Sequence, residues 1–241
     1  MNICKNSLLF VLMLLSTNLV AQDITRDDEL VVEAASYIDM GNYKEAIRLL
    51  SQSIKANNKN FYAWYNRAVL NMQRGQYKDA IGDYNQALKI RPKSIECLNN
   101  RAVCKSNIGE NIAAINDFNA ALQLDESNAK VLFNQGLNRY QQRDFVTSNN
   151  DYQKALLIND QDEALCTNAA INLFALKKYD AALVILKKGS KLNPKNGLIN
   201  YWIGKVFIEL KDINNACKEF TLSKKNEFQL ADAMLQQYCG K

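Results

Sequence analysis

Apolar, polar and small residues recur along the chain at the same positions of a 34-residue unit. Within residues 61–94, apolar residues spaced three and four apart form two helical stretches, which Gly75 separates and Pro92 ends. Five more segments, beginning at residues 27, 95, 129, 163 and 197, follow this pattern without gaps. The pattern predicts two amphipathic helices in each unit and six consecutive units.

Two positions of the unit hold only small residues, and a third holds only large ones. Position 8 holds Ala34, Ala68, Ala102, Gly136, Ala170 and Gly204, and position 20 holds Ala46, Ala80, Ala114, Ser148, Ala182 and Ala216. Position 24 holds Leu50, Tyr84, Phe118, Tyr152, Leu186 and Phe220. Because helices cross closely only where the intervening side chains are small, positions 8 and 20 mark the predicted contact within each helix pair.

Position 15 predicts the turn between the two helices of a unit. It holds Gly41, Gly75 and Gly109 in the first three units, and Arg143, Lys177 and Lys211 in the last three. Glycine suits the left-handed conformation that commonly ends a helix, so the first three units carry the clearer turn signal. The two prolines of the chain, Pro92 and Pro194, both fall at position 32, where they end the second helix.

This pattern resembles the tetratricopeptide repeat family over about residues 27–230. The residues that match the family pattern are Trp64, Gly75, Tyr77, Ala80, Tyr84, Ala87 and Pro92. The resemblance implies an all-α fold, a right-handed α-solenoid of six tandem helix-turn-helix repeats. Their expected bounds are 27–60, 61–94, 95–128, 129–162, 163–196 and 197–230. We expect residues 22–26 to be a linker and residues 231–241 to be a capping helix, since the ends of such arrays need a cover.

Besides the loss of glycine at position 15, the repeats depart from the family pattern at three more places. Position 17 loses its aromatic residue at Asn111 and Ile213. Position 7 is usually leucine in the family, but here it holds Glu33, Arg67, Arg101 and Gln135. Phe228 stands at the end of the last repeat where proline is expected, so the boundary there is less sharply defined.

The first 21 residues have the layout of a secretory signal. Lys5 precedes an apolar run over residues 7–15, and small and polar residues follow up to Ala21. We expect cleavage after Ala21 and a secreted or periplasmic protein. The run is shorter than the about 18 apolar residues of a membrane span, although an uncleaved anchor is the alternative.

The resemblance implies that the first helices of the repeats line a concave groove through positions 2, 5, 6, 9 and 12. Position 6 is an asparagine in four consecutive repeats, and a side-chain amide can pair with the backbone of an extended peptide. These asparagines could equally bond neighbouring helix pairs to one another, and several apolar groove residues could pack between adjacent first helices. The predicted groove residues are Tyr62, Tyr65, Asn66, Val69, Asn99, Asn100, Val103, Phe133, Asn134, Leu137, Asn168 and Ile171.

The resemblance also argues against one kind of ligand. Family members that hold a C-terminal carboxylate do so with a lysine at position 5 and an asparagine at position 9 of one repeat, and with a lysine at position 2 and an arginine at position 6 two repeats on. Lys130 at position 2 is the one residue of that clamp retained here, so we do not expect recognition of carboxylate tails.

Catalytic and metal-binding patterns are not found in the sequence. The chain contains no histidine, the usual general base near neutral pH and the commonest zinc ligand. Asp79, Asp83, Asp117 and Asp151 are predicted on helix surfaces, without an apolar pocket to raise their pKa. We therefore expect no enzymatic activity, cofactor, metal or small-molecule substrate.

Charge suggests a second function. The net charge of +5 becomes +4 once Lys5 is removed with the signal, which is a weak basis for nucleic-acid binding. Lysines such as Lys187 and Lys188 outnumber acids toward the C-terminus. Two hypotheses follow: a scaffold that binds a peptide or helix of another protein in the groove, and an accessory of envelope machinery that docks on an anionic or membrane surface through this lysine-rich end.

The cysteines leave one question open. Cys97 and Cys104 lie two helical turns apart, too far for a disulfide, and Cys166 is predicted to face a neighbouring helix. Cys217 and Cys239 could approach each other if the last two helices form an antiparallel hairpin.

Overall fold

The computed structural model describes residues 25–240, which contain thirteen helices and no strand. The helices are α1 (Arg26–Asp39), α2 (Tyr43–Ala56), α3 (Phe61–Gln73), α4 (Tyr77–Ile90), α5 (Ile95–Asn107), α6 (Asn111–Leu124), α7 (Ala129–Gln141), α8 (Phe145–Ile158), α9 (Glu163–Ala175), α10 (Tyr179–Leu192), α11 (Gly197–Glu209), α12 (Ile213–Lys225) and α13 (Ala231–Cys239). The first twelve form six pairs, and each pair begins within one residue of a predicted repeat start. The all-α prediction is confirmed.

The predicted signal sequence and its cleavage point lie outside the described residues. Within residues 25–240, none of the helices combines the length and the apolar character that crossing a membrane requires.

Residue contacts divide the chain into two compact units, Met1–Asp117 (unit 1) and Phe118–Lys241 (unit 2), with the division inside α6. In unit 1, α1 packs on α2 and α3 on α4, and each pair contacts the next helix along the chain. In unit 2, α7 packs on α8, α9 on α10 and α11 on α12, and α13 packs against α12. Successive first helices also touch, since α3 contacts α5, α7 contacts α9 and α9 contacts α11.

The small residues at positions 8 and 20 are buried in all six pairs, which confirms the predicted crossing points. Where position 8 is glycine, the crossing leaves no room for a methyl group. A Cβ atom added to Gly136 would lie 2.9 Å from the ring of Tyr152, and one added to Gly204 would lie 2.5 Å from the ring of Phe220. Because these glycines have no side chain, they leave space for the buried aromatic side chains of position 24.

Side-chain N-caps recur at the same positions of the repeat. Position 34 of each of the first five repeats supplies a side-chain oxygen that accepts a backbone N–H in the first turn of the next first helix. These residues are Asn60, Ser94, Asn128, Asp162 and Asn196. Asn42, Asp144 and Asp212, all at position 16, cap second helices in the same way.

All six turns at position 15 adopt the left-handed conformation. The φ angles are 74°, 73° and 82° at Gly41, Gly75 and Gly109, and 62°, 60° and 63° at Arg143, Lys177 and Lys211. The last three repeats therefore keep the backbone of the turn without its preferred residue.

A disulfide joins α12 to α13. Cys217 and Cys239, whose pairing the sequence left open, are bonded, with Cα atoms 5.8 Å apart. Cys97, Cys104 and Cys166 are free and buried. Burial raises the pKa of the Cys97 thiol to about 11 and that of Cys104 to about 12, so both stay protonated at neutral pH.

The prediction that Asp83, Asp117 and Asp151 lie on helix surfaces is wrong. Their exposed fractions are 6%, 5% and 4%, because the second helix of a repeat turns this face toward neighbouring helices. The Asp83 carboxylate accepts hydrogen bonds from two guanidinium nitrogens of Arg67, at 2.9 and 2.7 Å. The Asp117 carboxylate accepts two from Arg101 in the same way, at 2.7 and 2.6 Å. Asp79 is exposed, as predicted.

The same arginines also reach the preceding repeat. Arg67 donates to the Ser51 hydroxyl at 2.9 Å, and Arg101 donates to the Asn85 side-chain carbonyl at 2.7 Å. Position 7, the main departure from the family pattern, thus joins position 23 of its own repeat to position 25 of the repeat before it.

Candidate peptide-binding surface

In unit 1, the predicted groove residues lie on two adjacent first helices. α3 carries Tyr62, Tyr65, Asn66 and Val69, and α5 carries Asn99, Asn100 and Val103. All are half-buried except Asn99, which is 3% exposed. The contact between α3 and α5 brings the accessible residues together on one surface.

The aromatic residues of α3 are held by their neighbours. Tyr65 stacks on Phe61 with ring centroids 5.8 Å apart and meets the buried ring of Tyr84 edge-on at 6.1 Å. The Arg91 guanidinium lies 4.7 Å from the centroid of the Tyr62 ring. Part of the area of these aromatics is therefore used in internal packing, and what remains accessible is pre-organised, which lowers the entropic cost of binding.

In unit 2, the remaining predicted residues occupy α7 and α9, which touch each other. Phe133, Asn134 and Leu137 lie on α7, Asn168 and Ile171 lie on α9, and all five are half-buried. Unit 2 therefore also presents a mixture of apolar side chains and amides on adjacent first helices.

Two of the asparagines of position 6 take part in internal hydrogen bonds that the structure shows. Asn100 accepts from the Asn99 side chain at 3.1 Å, and Asn168 donates to the Ala164 carbonyl at 2.8 Å. A side-chain amide has two hydrogens and an oxygen with two lone pairs, so each of these bonds uses only part of its capacity. The framework role that the sequence left open is thus compatible with a second role in binding.

One part of the surface was missed from the sequence, the aromatic cluster around Lys205 on α11. The Lys205 Nζ atom lies 4.5, 5.1 and 5.8 Å from the ring centroids of Trp202, Phe174 and Tyr201. Trp202 occupies position 6, where the four preceding repeats have asparagine, and Lys205 occupies position 9, which is apolar in the other repeats. Extending the position-by-position comparison to the sixth repeat would have found both residues.

Lysines dominate the charge around this cluster. Between residues 177 and 225 the sequence has eleven lysines against four carboxylates. Two of these lysines are paired, Lys188 with Asp160 and Lys224 with Asp232. The C-terminal half of unit 2 therefore carries a positive field that attracts anionic groups.

Comparison with known proteins identifies the repeat. Two models described as tetratricopeptide repeat match the chain, one over residues 31–95 and the other over residues 95–128. No curated protein sequence matches it.

Solved structures match at the level of the fold. PilW, a type IV pilus biogenesis factor, has a TM-score of 0.77 at 19% identity over 87% of this chain and 99% of its own. YrrB, a tetratricopeptide repeat protein with an unusual peptide-binding site, has a TM-score of 0.63 at 15% identity, covering 78% of this chain and 97% of its own.

A chain of the APC/C hetero-tetramer Cut9–Hcn1 matches with a TM-score of 0.76 at 20% identity over 97% of this chain. The present chain spans only 46% of the length of that neighbour.

Proposed function

Because this chain is a tetratricopeptide repeat protein, we propose that it is a non-enzymatic scaffold that binds a peptide segment or helix of another protein. The binding surface is formed by the first helices of its repeats. One observation carries this proposal: eleven of the twelve predicted groove residues remain partly accessible on first helices. Accessible apolar side chains interspersed with amides suit a peptide that presents both side chains and backbone.

Two structural neighbours support the proposal. YrrB has a peptide-binding site, and PilW takes part in the biogenesis of a pilus. Both share the fold of this chain, and each is covered over nearly its whole length.

The proposed compartment is extracytoplasmic. The signal-like pattern before Ala21 supports this proposal, and so does the disulfide between Cys217 and Cys239, because disulfides persist in oxidising compartments. Mass spectrometry of the mature N-terminus tests it. A chain that retains residues 1–21 in the native host would contradict cleavage after Ala21 and favour the uncleaved anchor.

Display of random twelve-residue peptides tests peptide binding directly. We expect the protein to select clones, and their binding to survive about 0.5 M salt, because burial of apolar area is not screened by ions. Leu137→Ser with Ile171→Ser should weaken the selected clones at least tenfold by removing apolar area from α7 and α9.

The matched control is Val146→Ser with Val184→Ser. These valines are 66% and 69% exposed on the second helices α8 and α10, so they test the same chemical change away from the proposed surface. Equal loss in both double variants, with unchanged melting temperatures, or no selected peptides at all, would contradict the proposal.

The lysine excess of residues 177–225 favours a second candidate, docking on an anionic surface of the envelope. Binding of this kind collapses in 0.5 M salt. Charge reversal at Lys191 and Lys195 tests it better than reversal at Lys188, whose charge is already paired with Asp160. Binding of anionic vesicles that depends on Lys191 and Lys195, without peptide selection, would support this candidate over the first.

A further inference from the structure

Lys205 is held in an unusual place for a lysine. It is half-buried on α11, with its ammonium within 6 Å of three aromatic ring centres. Two of these rings are fixed against each other, since Phe174 and Trp202 meet edge-on with centroids 5.4 Å apart. The flexible stem of the lysine is therefore confined by rigid neighbours, and its charge is held at a defined point.

The charge of Lys205 is not neutralised within the described chain. Among residues 25–240, no carboxylate forms an ion pair with it. Glu209, one helical turn further along α11, already has a partner. Partial burial and a hydrogen bond with Glu209 together raise the pKa of the Tyr179 hydroxyl. Ring faces attract a cation but accept no strong hydrogen bond, so the donor capacity of the ammonium is left for another anion.

Lys205 also lies within the apolar part of the proposed surface. α11 contacts α9, which carries Ile171 and Phe174, and Trp202 stands beside them at position 6. An anion bound here would therefore sit next to a place for an apolar side chain, in surroundings where an ion pair is screened less than on an open surface.

We propose that Lys205 is an anion subsite of the peptide-binding surface, which pairs with an Asp or Glu side chain of the bound peptide while Phe174 and Trp202 contact an adjacent apolar side chain. This inference rests on the proposed function. The preferred partner is thus an acidic peptide segment with an apolar residue beside the acid, and the surrounding lysines increase its rate of association.

Selection from the random peptide display, with no free C-terminus on the peptides, tests the preference. Clones selected by the wild-type protein should be enriched in Asp or Glu next to an apolar residue. Lys205→Met keeps the stem on the rings and removes the charge, so it should lose the enrichment, whereas Lys205→Arg should keep it. Lys187→Met is the matched control, because Lys187 also lies over a ring, that of Phe207 at 5.9 Å, but on the second helix α10.

A synthetic peptide from the selection then gives the affinity. Trp202 reports binding by fluorescence in a Trp64→Phe background, since the chain has only two tryptophans. Lys205→Met should weaken binding about tenfold, as expected for the loss of one charge-assisted bond. Exchanging the acidic peptide residue for its amide should weaken wild-type binding equally and leave Lys205→Met unaffected.

The outcomes separate this inference from the function on which it rests. Selection without acidic enrichment, or enrichment that persists in Lys205→Met, overturns the subsite and leaves peptide binding intact. Absence of any selected peptide contradicts the proposed function itself. Lys205-dependent binding of phosphatidylglycerol vesicles in place of peptides would assign Lys205 to a lipid headgroup and overturn the peptide subsite. If Lys205→Met unfolds, Lys205→Gln also removes the charge, and its affinity for the acidic and amide peptides still decides the question.

Discussion

The three position-15 residues of unit 2 hold a backbone conformation that glycine would adopt more readily. Arg143, Lys177 and Lys211 have φ angles of 60–63°, in turns equivalent to those of Gly41, Gly75 and Gly109. In the left-handed region the Cβ atom crowds the following carbonyl, at a cost of roughly 1–2 kcal/mol for a residue other than glycine. Glycine also increases the conformational entropy of the unfolded chain, and this offsets part of the stability gained by relieving the strain.

We therefore expect Lys177→Gly to raise the free energy of unfolding by about 0.5–1 kcal/mol, measured by urea denaturation. The control is Gln142→Gly, one residue before an equivalent turn, where φ is –80° and glycine only adds unfolded-state entropy. It should lower stability by about 0.5–1 kcal/mol. Equal effects of the two substitutions would show that strain at position 15 is not relieved.

Asp151 differs from its counterparts in how few donors it receives. Asp83 is bonded by both arms of Arg67 and by Asn71, and Asp151 is bonded by one nitrogen of Arg139, at 2.5 Å. The position that supplies an arginine fork in other repeats is Gln135, which donates to Asn119. Burial raises the pKa of the Asp151 carboxyl to about 6, and the single arm of Arg139 does not reverse that shift.

Asp151 should therefore make stability depend on pH. Its folded pKa lies above the reference value of 3.8, so the folded protein binds a proton between pH 7 and pH 5 that the unfolded chain does not bind. The stabilisation is complete below the unfolded pKa and is lost as the pH rises through about 6. Relative to Asp151→Asn, we expect wild-type protein to gain about 1 kcal/mol in urea denaturation from pH 7 to pH 5.

A second variant tests the cause of this shift. Gln135→Arg supplies the arginine that Arg67 provides for Asp83, and it should reduce the pH dependence by stabilising the charged carboxylate. A difference between wild type and Asp151→Asn that does not change between pH 5 and pH 7 would contradict the raised pKa.

At the scale of the helices, the sequence predicted the contacts made by small residues well and the contacts made by polar residues poorly. Ala68 and Ala80 lie on apolar faces that helical periodicity displays directly, so their burial follows from the pattern. Asp83 belongs to a second helix that is covered by neighbours, and periodicity alone places a carboxylate outside. The available signal was a repeated spacing of sixteen residues, which separates Arg67 from Asp83 and recurs in the next repeat.

The predicted surface was limited in a different way. Positions 2, 5, 6, 9 and 12 locate the accessible side of a first helix, but they do not tell which side chains are used by neighbours. Asn99 is buried where adjacent first helices lie in contact, and Tyr65 is stacked on Phe61, one turn earlier on the same helix. The cluster at Lys205 depends on rings from α9 and α11, a combination that appears only when the two helices are placed side by side.

The crossing of α11 and α12 gives a prediction at this scale. Gly204→Ala would place a methyl group 2.5 Å from the buried Phe220 ring, so either the ring or the crossing must shift. We expect a loss of about 1–3 kcal/mol in thermal or urea unfolding, typical of overpacking. Gly82→Ala is the control, because nothing lies within 4 Å of its added methyl group on α4, and it should stabilise by about 0.5–1 kcal/mol. Stabilisation by both substitutions would mean that the crossing adapts freely.

Across the whole molecule, the repeats are held together by different means. Positions 7 and 23 carry ion pairs in the second and third repeats, as in Arg67 with Asp83. The corresponding positions of the fifth repeat are Ala169 and Ile185. Ala169 belongs to an apolar cluster with Leu132 and Leu165, and Ile185 packs on the cluster that contains Leu173 and Leu186. Apolar packing of similar volume is often as stable as a buried ion pair, so this difference does not weaken unit 2.

The C-terminal end of the molecule is secured by a covalent bond. α13 buries Leu235 against Phe220, and the disulfide between Cys217 and Cys239 ties the two helices together across 22 residues. A disulfide that closes a loop of this length stabilises the folded state by about 3 kcal/mol, because it restricts the unfolded chain. Because a repeat contacts mainly its neighbours, loss of the bond should be felt at this end of the array and little beyond it.

Hydrogen exchange in the presence and absence of reductant measures this effect. We expect reduction to accelerate exchange of the α13 amides about a hundredfold, which corresponds to about 3 kcal/mol in local opening, and to leave the amides of α9 unchanged. The Cys217→Ser, Cys239→Ser double variant is the control, and its α13 should exchange rapidly under both conditions. Equal acceleration in α13 and α9 would show that unit 2 opens as one cooperative body, and that the disulfide stabilises all of it rather than its final helix.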